Sequence, residues 1–419
     1  MGVWQQIALE LYERAFYNRN MDGMQKLTLM YADMELEVED TPPAPDQPFS
    51  LAGGPDCSQA GHPKGAKPQD TDGLPIQMVA TPAGRVPVLK TLLTSACERN
   101  CFYCPFRMGR DFRRATFKPD EMAATVVKLT QAGVIKGAFI SSGIAGGGVR
   151  TQDRLLDTAE ILRKKHGYRG YLHLKLMPGA EHDQVERAMQ LADRVSVNLE
   201  APNTERLSLL APQKMFLDEL LQPLRIVESI RKNQPGYRGW KGRWPSSTTQ
   251  FVVGAVGEND VELLKTVAYL YQKLRLARSY FSGFSPVRDT PFEDRPSINP
   301  WRQHRLYQAS FLLRDYGFEI EEMPFQKEGH LPLEIDPKQA WARANLSEAP
   351  VEINRAARHD LLRVPGIGPK GAQAILNARC NGGRVRSVED LKSLGIYTNR
   401  AAPYILLDGR RLPVQLSLL

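Results

Sequence analysis

Three cysteines stand within eight residues, Cys97-Glu98-Arg99-Asn100-Cys101-Phe102-Tyr103-Cys104, spaced C-x3-C-x2-C. They are three of the five in the chain. A thiolate is a soft ligand, and this density suits a soft metal ion or an iron–sulfur cluster. Three cysteines on a cluster of four irons leave one iron open to an exogenous ligand. A structural zinc wants four ligands. No fourth Cys or His follows closely on Cys104, and Cys57 and His62 lie far upstream in a stretch of loose composition.

The elements that must hold this loop begin with Val86-Pro87-Val88-Leu89-Lys90-Thr91-Leu92-Leu93, a β-branched and leucine-rich run that reads as a strand leading into the cysteines. Lys118-Pro119-Asp120-Glu121 then marks a helix start. Strands are expected at Gly137–Gly143, Tyr171–Met177, Arg194–Glu200, Ser247–Gly254 and Arg278–Phe284, with helices near 152–165, 181–192, 215–232 and 259–274. Repeated strand–helix units imply parallel strands in a barrel or a doubly wound sheet. Two strands are unusual. His173 and Lys175 alternate with Leu172, Leu174 and Leu176; Ser196, Asn198 and Glu200 alternate with Val195, Val197 and Leu199. Period two puts each polar set on one face. Ordinary parallel core strands are apolar on both faces, so a polar face suggests either a binding lumen or a hydrated barrel end.

The cysteine spacing, with an aromatic Tyr103 before the last cysteine, resembles the signature of the radical S-adenosylmethionine (SAM) superfamily. The span from about 86 to 412 resembles its putative DNA modification or repair members, with supporting strings Thr249-Gln250-Phe251-Val252-Val253-Gly254 and Leu306-Tyr307-Gln308-Ala309. The resemblance implies a partial (β/α)6 TIM-like barrel and a [4Fe–4S] cluster on Cys97, Cys101 and Cys104, with SAM chelating the open iron and a reducing electron donor. It also implies SAM contacts from Tyr103, Ser142, Gly143, Asn198, Glu200 and Val256. Ser142-Gly143-Ile144 stands where the family carries a Gly-Gly-Glu-type motif, so the Glu is missing. Val253-Gly254-Ala255-Val256-Gly257-Glu258 is similar to the apolar shelf for adenine.

The C-terminal part carries a second signal. His359 to Leu376, centred on Gly366-Ile367-Gly368-Pro369-Lys370, closely resembles a helix-hairpin-helix DNA-binding motif. A Gly-x-Gly turn lets backbone N–H groups approach a phosphate at a helix N-terminus. Gly366, Ile367, Gly368 and Lys370 are the DNA contacts this implies, and such contacts read backbone rather than sequence. Residues 350–419 hold 11 Lys/Arg against 5 Asp/Glu in a chain of net charge +8, which points to a polyanion. A protein-binding hairpin is the competing reading.

Arg107, Arg110, Arg113 and Arg114 follow the cysteines and suit either phosphate or rim carboxylates. Tyr237 to Trp244 interleaves aromatics with bases but precedes a strand, so a structural role on the opposite rim is expected. The last residues, Gln415-Leu416-Ser417-Leu418-Leu419, look like the peptide by which bacterial repair and replication proteins dock on the sliding clamp, with Leu419 in place of the usual aromatic.

The expected organisation is an N-terminal helical segment (1–39, with Ile7, Leu11 and Phe16 on one pattern), a Pro/Gly-rich flexible linker (40–75), a core barrel (76–295), a helical connector (296–349), a small all-α helix-hairpin-helix domain (350–412) and a tail (413–419). Composition is ordinary globular, with 42% hydrophobic and 24% charged residues. No apolar run reaches bilayer-spanning length, and sparse cysteine suits a reducing compartment; a cytoplasmic protein is expected. The reading is an enzyme acting on DNA. The alternatives are the same chemistry on RNA, and a non-catalytic DNA-binding metalloprotein.

Overall fold

The computed structural model describes residues 21–34, 73–81 and 84–412. The pattern from Ile7 to Phe16, nearly all of the 40–75 segment and the tail at 413–419 lie outside the described residues. Seven strands form one sheet in chain order: β1 (Ile76–Thr81), β2 (Gly84–Leu92), β3 (Gly137–Ser141), β4 (Tyr171–Lys175), β5 (Arg194–Ser196), β6 (Ser246–Val253) and β7 (Arg278–Gly283). β1 pairs antiparallel with β2; every later pair is parallel. β1 was not foreseen, because Gln77 and Met78 break any clean alternation.

Between the parallel strands run α2 (Pro119–Gln131), α3 (Gly148–Glu160), α4 (His182–Leu191), α5 (Thr204–Leu210), α6 (Gln222–Asn233) and α7 (Asp260–Leu274). Parallel crossovers are right-handed. When strands also keep chain order, every crossover falls on the same face, and the sheet curls around the other. The six parallel strands therefore form a (β/α)6 partial barrel, with β1 and β7 left as edges. Burial follows: Leu172 and Leu174 are fully buried toward the helices, while His173 and Lys175, on the opposite face, are partly accessible. Each leucine so buried stabilises the layer by about 2 kcal/mol.

α2 begins where the sequence places it, with Pro119 in its first turn. Its Glu121 accepts from Lys26 Nζ at 2.7 Å, which ties down the helix α1 (Gly23–Met34), whose Leu27 and Met30 are buried. β5 is shorter than its alternation suggests. It ends at Ser196, and Glu200 rejoins β6 by a single bridge to Phe251, because Glu200 adopts φ 66° and cannot continue a strand.

The described residues divide into two compact units, the sheet belonging to one; the other gathers Asn259–Gln272 with the chain from Asn299 onward. The second unit contains α8 (Pro300–Asp315), α9 (Pro337–Asn345), α10 (Arg358–Arg363), α11 (Pro369–Cys380), α12 (Val388–Ser393) and α13 (Thr398–Ala401). Its core joins Leu361, Leu362, Val364, Ile367, Ile375 and Leu391. The all-α expectation for this module omitted a small sheet, β8 (Val351–Glu352), β9 (Ile405–Leu407) and β10 (Arg410–Arg411), in the order β10-β9-β8. Strands of two or three residues are too short to show a period. Among the described residues, no helix is long and apolar enough to cross a membrane.

Candidate active site

The cysteine loop leaves β2 and is fastened on both flanks. Phe102 N–H donates to Leu210 O at 2.9 Å, Asn100 N–H to Gln213 Oε1 at 3.2 Å, and Arg99 pairs with Glu219 at 2.7 Å. Glu98 accepts from Gly146 and Gly147 N–H at 3.0 and 3.1 Å. Gly143 packs so tightly here that a Cβ would stand 2.3 Å from Ala96 O, so only glycine lets the loop after β3 seat against the cysteine loop. Arg114 donates to Ser95 O, Phe106 O and Arg107 O, and Arg110 to Pro105 O and Arg288 O. These bonds go to backbone carbonyls, and they brace the loop's exit.

One cavity opens at the C-terminal ends of the parallel strands. Cys97, Cys101 and Cys104 line it, together with Tyr103, Ser142, Gly143, Asn198 and Glu200. Eight of the nine barrel residues singled out in the sequence thus share one wall system. The ninth, Val256, is buried outside that lining: its N–H donates to Glu258 Oε2 at 3.3 Å and its carbonyl accepts from Arg206 at 3.1 Å. The cavity sits where barrel enzymes build their sites, because the loops there are free to vary without disturbing strand pairing.

The sulfurs are not bare. Cys97 Sγ accepts from Ile144 N–H at 3.5 Å and Cys104 Sγ from Phe106 N–H at 3.4 Å. Cys101 is buried, and burial pushes its thiol up despite the Lys214 ammonium beside it. Lys214 donates to Glu200 Oε1 at 2.9 Å in a pair almost wholly removed from water. Burial works against the charge of each partner. For Lys214 the Cys101 and Glu200 charges outweigh it and hold the ammonium protonated; for Glu200 the Lys214 and Lys175 ammoniums outweigh it and keep the carboxyl ionised. Burial, then the Glu200 charge, pushes Tyr103 well above the usual phenol range. The Tyr103 hydroxyl also hydrogen-bonds the Glu200 carboxylate, which helps to keep it ionised.

These features test the cluster that the cysteines imply. Three soft donors line one cavity, and two of them accept backbone N–H bonds. Thiols are the donor chemistry that an iron–sulfur cluster takes, so the residues present fit that group.

Beyond the sulfurs, His173 stacks on Phe139 (centroids 4.0 Å apart, 12° between planes), and its Nε2 lies 2.8 Å from Ser196 Oγ. Burial, with Arg194, Lys175 and Lys90 nearby, pushes its pKa well below the usual imidazole value. The Tyr237–Trp244 loop is committed to internal contacts: Trp240 packs on the Arg163 guanidinium at 3.9 Å, and Lys241 joins Arg163 in pairing with Asp193.

In the second unit, Gly366 has φ +83°, and a Cβ there would meet Tyr397 O at 2.4 Å. Ile367 is fully buried, Gly368 is the N-cap of α11, Pro369 fills its first position, and Lys370 is exposed. Gly371 lies against Ile396, where a Cβ would come within 2.5 Å. Lys338 Nζ donates to Ile367 O at 2.6 Å and lies 4.5 Å from the Tyr316 ring centroid.

Sequence reading missed Lys214, Lys90, Phe139 and Lys338. Lys214 is separated from Glu200 by fourteen residues and sits in no motif; only the period-two register of β2 and β3 could have placed Lys90 and Phe139 on the inner face.

The helix-hairpin-helix motif family matches residues 347–395. An uncharacterized protein of Methanocaldococcus jannaschii is 20% identical over 234 residues, 53% of this chain and 55% of the relative. Methylornithine synthase (PylB) superposes with a TM-score of 0.44 at 13% identity, over 54% of this chain and 61% of that one. The FeFe-hydrogenase maturase HydG from Carboxydothermus hydrogenoformans gives 0.43 at 14%, over 54% and 51%. A radical SAM methyltransferase from Sphaerobacter thermophilus gives 0.40 at 17%, over 57% and 75%. The chain thus spans just over half of the curated relative.

Proposed function

We propose that the chain is a radical SAM enzyme that acts on DNA, in modification or repair. The observation that carries this reading is the meeting of Cys97, Cys101 and Cys104 with Ser142, Asn198 and Glu200 around one cavity at the C-terminal ends of six parallel strands. The three thiolates would hold a [4Fe–4S] cluster, and Tyr103, Ser142, Gly143, Asn198 and Glu200, which line the same cavity, are the proposed SAM contacts. Held by Cys97, Cys101 and Cys104 and reduced by an electron donor, such a cluster would supply the one-electron chemistry that cleaves SAM to methionine and a 5′-deoxyadenosyl radical able to take a hydrogen atom from a nucleotide.

The chain's own residues prepare that site. The Lys214 ammonium beside Cys101 offsets part of the burial that otherwise disfavours the thiolate there. The N–H groups of Ile144 and Phe106 draw charge from Cys97 and Cys104, which raises the potential of any group on those sulfurs. Glu200, ionised in the cavity wall, would accept from a bound ammonium or hydroxyl. On the second unit, Gly366, Ile367, Gly368 and Lys370 form the proposed phosphate contact, since extended backbone at a helix N-terminus with a lysine beside it suits an anion. The Gln415–Leu419 peptide is proposed to bind a sliding clamp.

Anaerobic reconstitution tests the enzyme directly. About four iron and four sulfide per chain are expected, with dithionite-dependent release of 5′-deoxyadenosine. Deuterium passing from labelled oligodeoxynucleotides into 5′-deoxyadenosine would identify DNA as substrate; stoichiometric zinc with no iron uptake would refute the cluster.

A further inference from the structure

The second unit contains the hairpin geometry twice. A constant shift along the chain carries Leu362, Gly366, Ile367, Gly368, Pro369 and Ala372 onto Leu391, Gly395, Ile396, Tyr397, Thr398 and Ala401. The two stretches agree position by position. Both leucines, both isoleucines and both alanines are buried. Gly366 has φ +83° and Gly395 φ +76°. Each turn leads through an N-cap into a helix, Gly368 into α11 and Tyr397 into α13. Ala372 N–H donates to Gly368 O at 2.8 Å, and Ala401 N–H to Tyr397 O at 3.2 Å. The hairpins also pack on one another: Gly371 lies against Ile396, and Tyr397 N–H donates to Gly366 O at 3.2 Å.

The copies differ where a ligand would meet them. α11 has twelve residues, with Lys370 exposed in its first turn; α13 has four, too few to sum the peptide dipoles that favour an anion. The second turn is therefore no second phosphate contact. At the N-cap, where the first hairpin has a glycine that keeps its backbone open to close approach, the second has Tyr397, which is 76% exposed. A single exposed aromatic needs no explanation by itself. Tyr397 is set apart by its anchoring. Its N–H is held by Gly366 O, and its carbonyl accepts from Arg400 and Ala401 N–H at 3.0 and 3.2 Å. The ring thus meets solvent from a fixed backbone, beside the turn that enters α11. Gly366 and Gly368 are at most about 7 Å apart along the chain, so the ring and the proposed phosphate contact are within reach of neighbouring nucleotides. The charged positions differ in the same sense: Arg363 is buried against Glu322, while its counterpart Lys392 is exposed.

We propose that Tyr397 is a stacking post for an unpaired nucleobase, and that the DNA held beside α11 is single-stranded. This rests on the DNA reading above and names the form of DNA. Backbone contacts at Gly366–Lys370 hold a strand whether or not its bases are paired. An aromatic face engages a base only once that base has left its own stack, and it does so without sequence preference, since every base has a π-face. Charge favours this occupant over an apolar peptide, because residues 350–419 hold 11 Lys/Arg against 5 Asp/Glu.

The test is fluorescence anisotropy of the full chain with three labelled ligands at one salt concentration: oligo(dT), a strand of equal length made of abasic sites, and a duplex. Wild type should bind oligo(dT) about five- to a hundredfold more tightly than the abasic strand, the range that stacking of one base contributes. Tyr397→Ala should remove that advantage and leave the abasic strand and the duplex unchanged, and Tyr397→Trp should retain it. Lys370→Ala should weaken all three ligands alike. Thermal melting checks that the variants fold, and the wild-type comparison needs no variant. An abasic strand bound as tightly as oligo(dT) overturns the proposal, as does a base advantage that persists in Tyr397→Ala. Equal losses for all three ligands in Tyr397→Ala would make the residue a structural support and overturn it too. Lys370-dependent binding with no base advantage would sink the stacking post and leave the DNA reading standing, whereas a chain that binds none of the three refutes both.

Discussion

At the residue scale the site turns on one buried ion pair. Lys214 and Glu200 meet at 2.9 Å with little of either side chain exposed. Removing one partner strands the other's charge, so Glu200→Gln should lower the unfolding free energy by about 3 kcal/mol. Glu200→Gln combined with Lys214→Met should cost less than Glu200→Gln alone, because no unpaired charge remains. Chemical denaturation of the two variants checks this; a double variant that loses as much as Glu200→Gln, or more, would contradict the stranded-charge account. Cys101→Ala should abolish iron uptake and SAM cleavage, and because Cys101 is only a small buried group, the far-ultraviolet dichroism should be unchanged.

At the element scale the hairpin between α10 and α11 depends on backbone conformation. Gly366 combines φ +83° with a close approach to Tyr397 O. Gly366→Ala should destabilise the second unit by about 1–3 kcal/mol and weaken DNA binding, measured by thermal melting and by fluorescence anisotropy. Lys338 gives the hairpin a pH dependence. Burial, followed by repulsion from Arg363, pulls its pKa down to about 7 from 10.5. Between those values the unfolded chain binds the extra proton, so stability should rise with pH from about 7 to 10.5, by at most about 1.4 kcal/mol per pH unit. Lys338→Met should remove that rise; identical pH profiles for variant and wild type would contradict the assignment.

At the scale of the whole molecule, the charge of residues 350–419 and the backbone character of the hairpin make the expected DNA binding independent of sequence. The logarithm of affinity should fall linearly with the logarithm of salt concentration, and Lys370→Ala should reduce that slope by about 1. An anisotropy series across salt concentrations and unrelated duplexes measures both. A peptide of residues 408–419 should bind purified sliding clamp, and Gln415→Ala with Leu418→Ala should abolish that binding in a titration.

The sequence by itself determined what local chemistry controls. The C-x3-C-x2-C spacing, the six strand–helix units, the start of α2 at Pro119 and the Gly366–Lys370 hairpin all depend on residues close in the chain, and each was legible there. The alternation in β4 also foretold an inward face bearing His173 and Lys175. Tertiary structure decided what depends on register and on contacts between distant residues. Glu200 leaves the strand through a left-handed backbone that its neighbours do not announce, and its partner Lys214 is brought to it by the turn after α5. Phe139 becomes a platform only because β3 lies between β2 and β4. Lys338 reaches the hairpin carbonyl across twenty-nine residues. Periodicity tells which face a side chain shares with its near neighbours; only the pairing of strands and the packing of helices tell what it meets there.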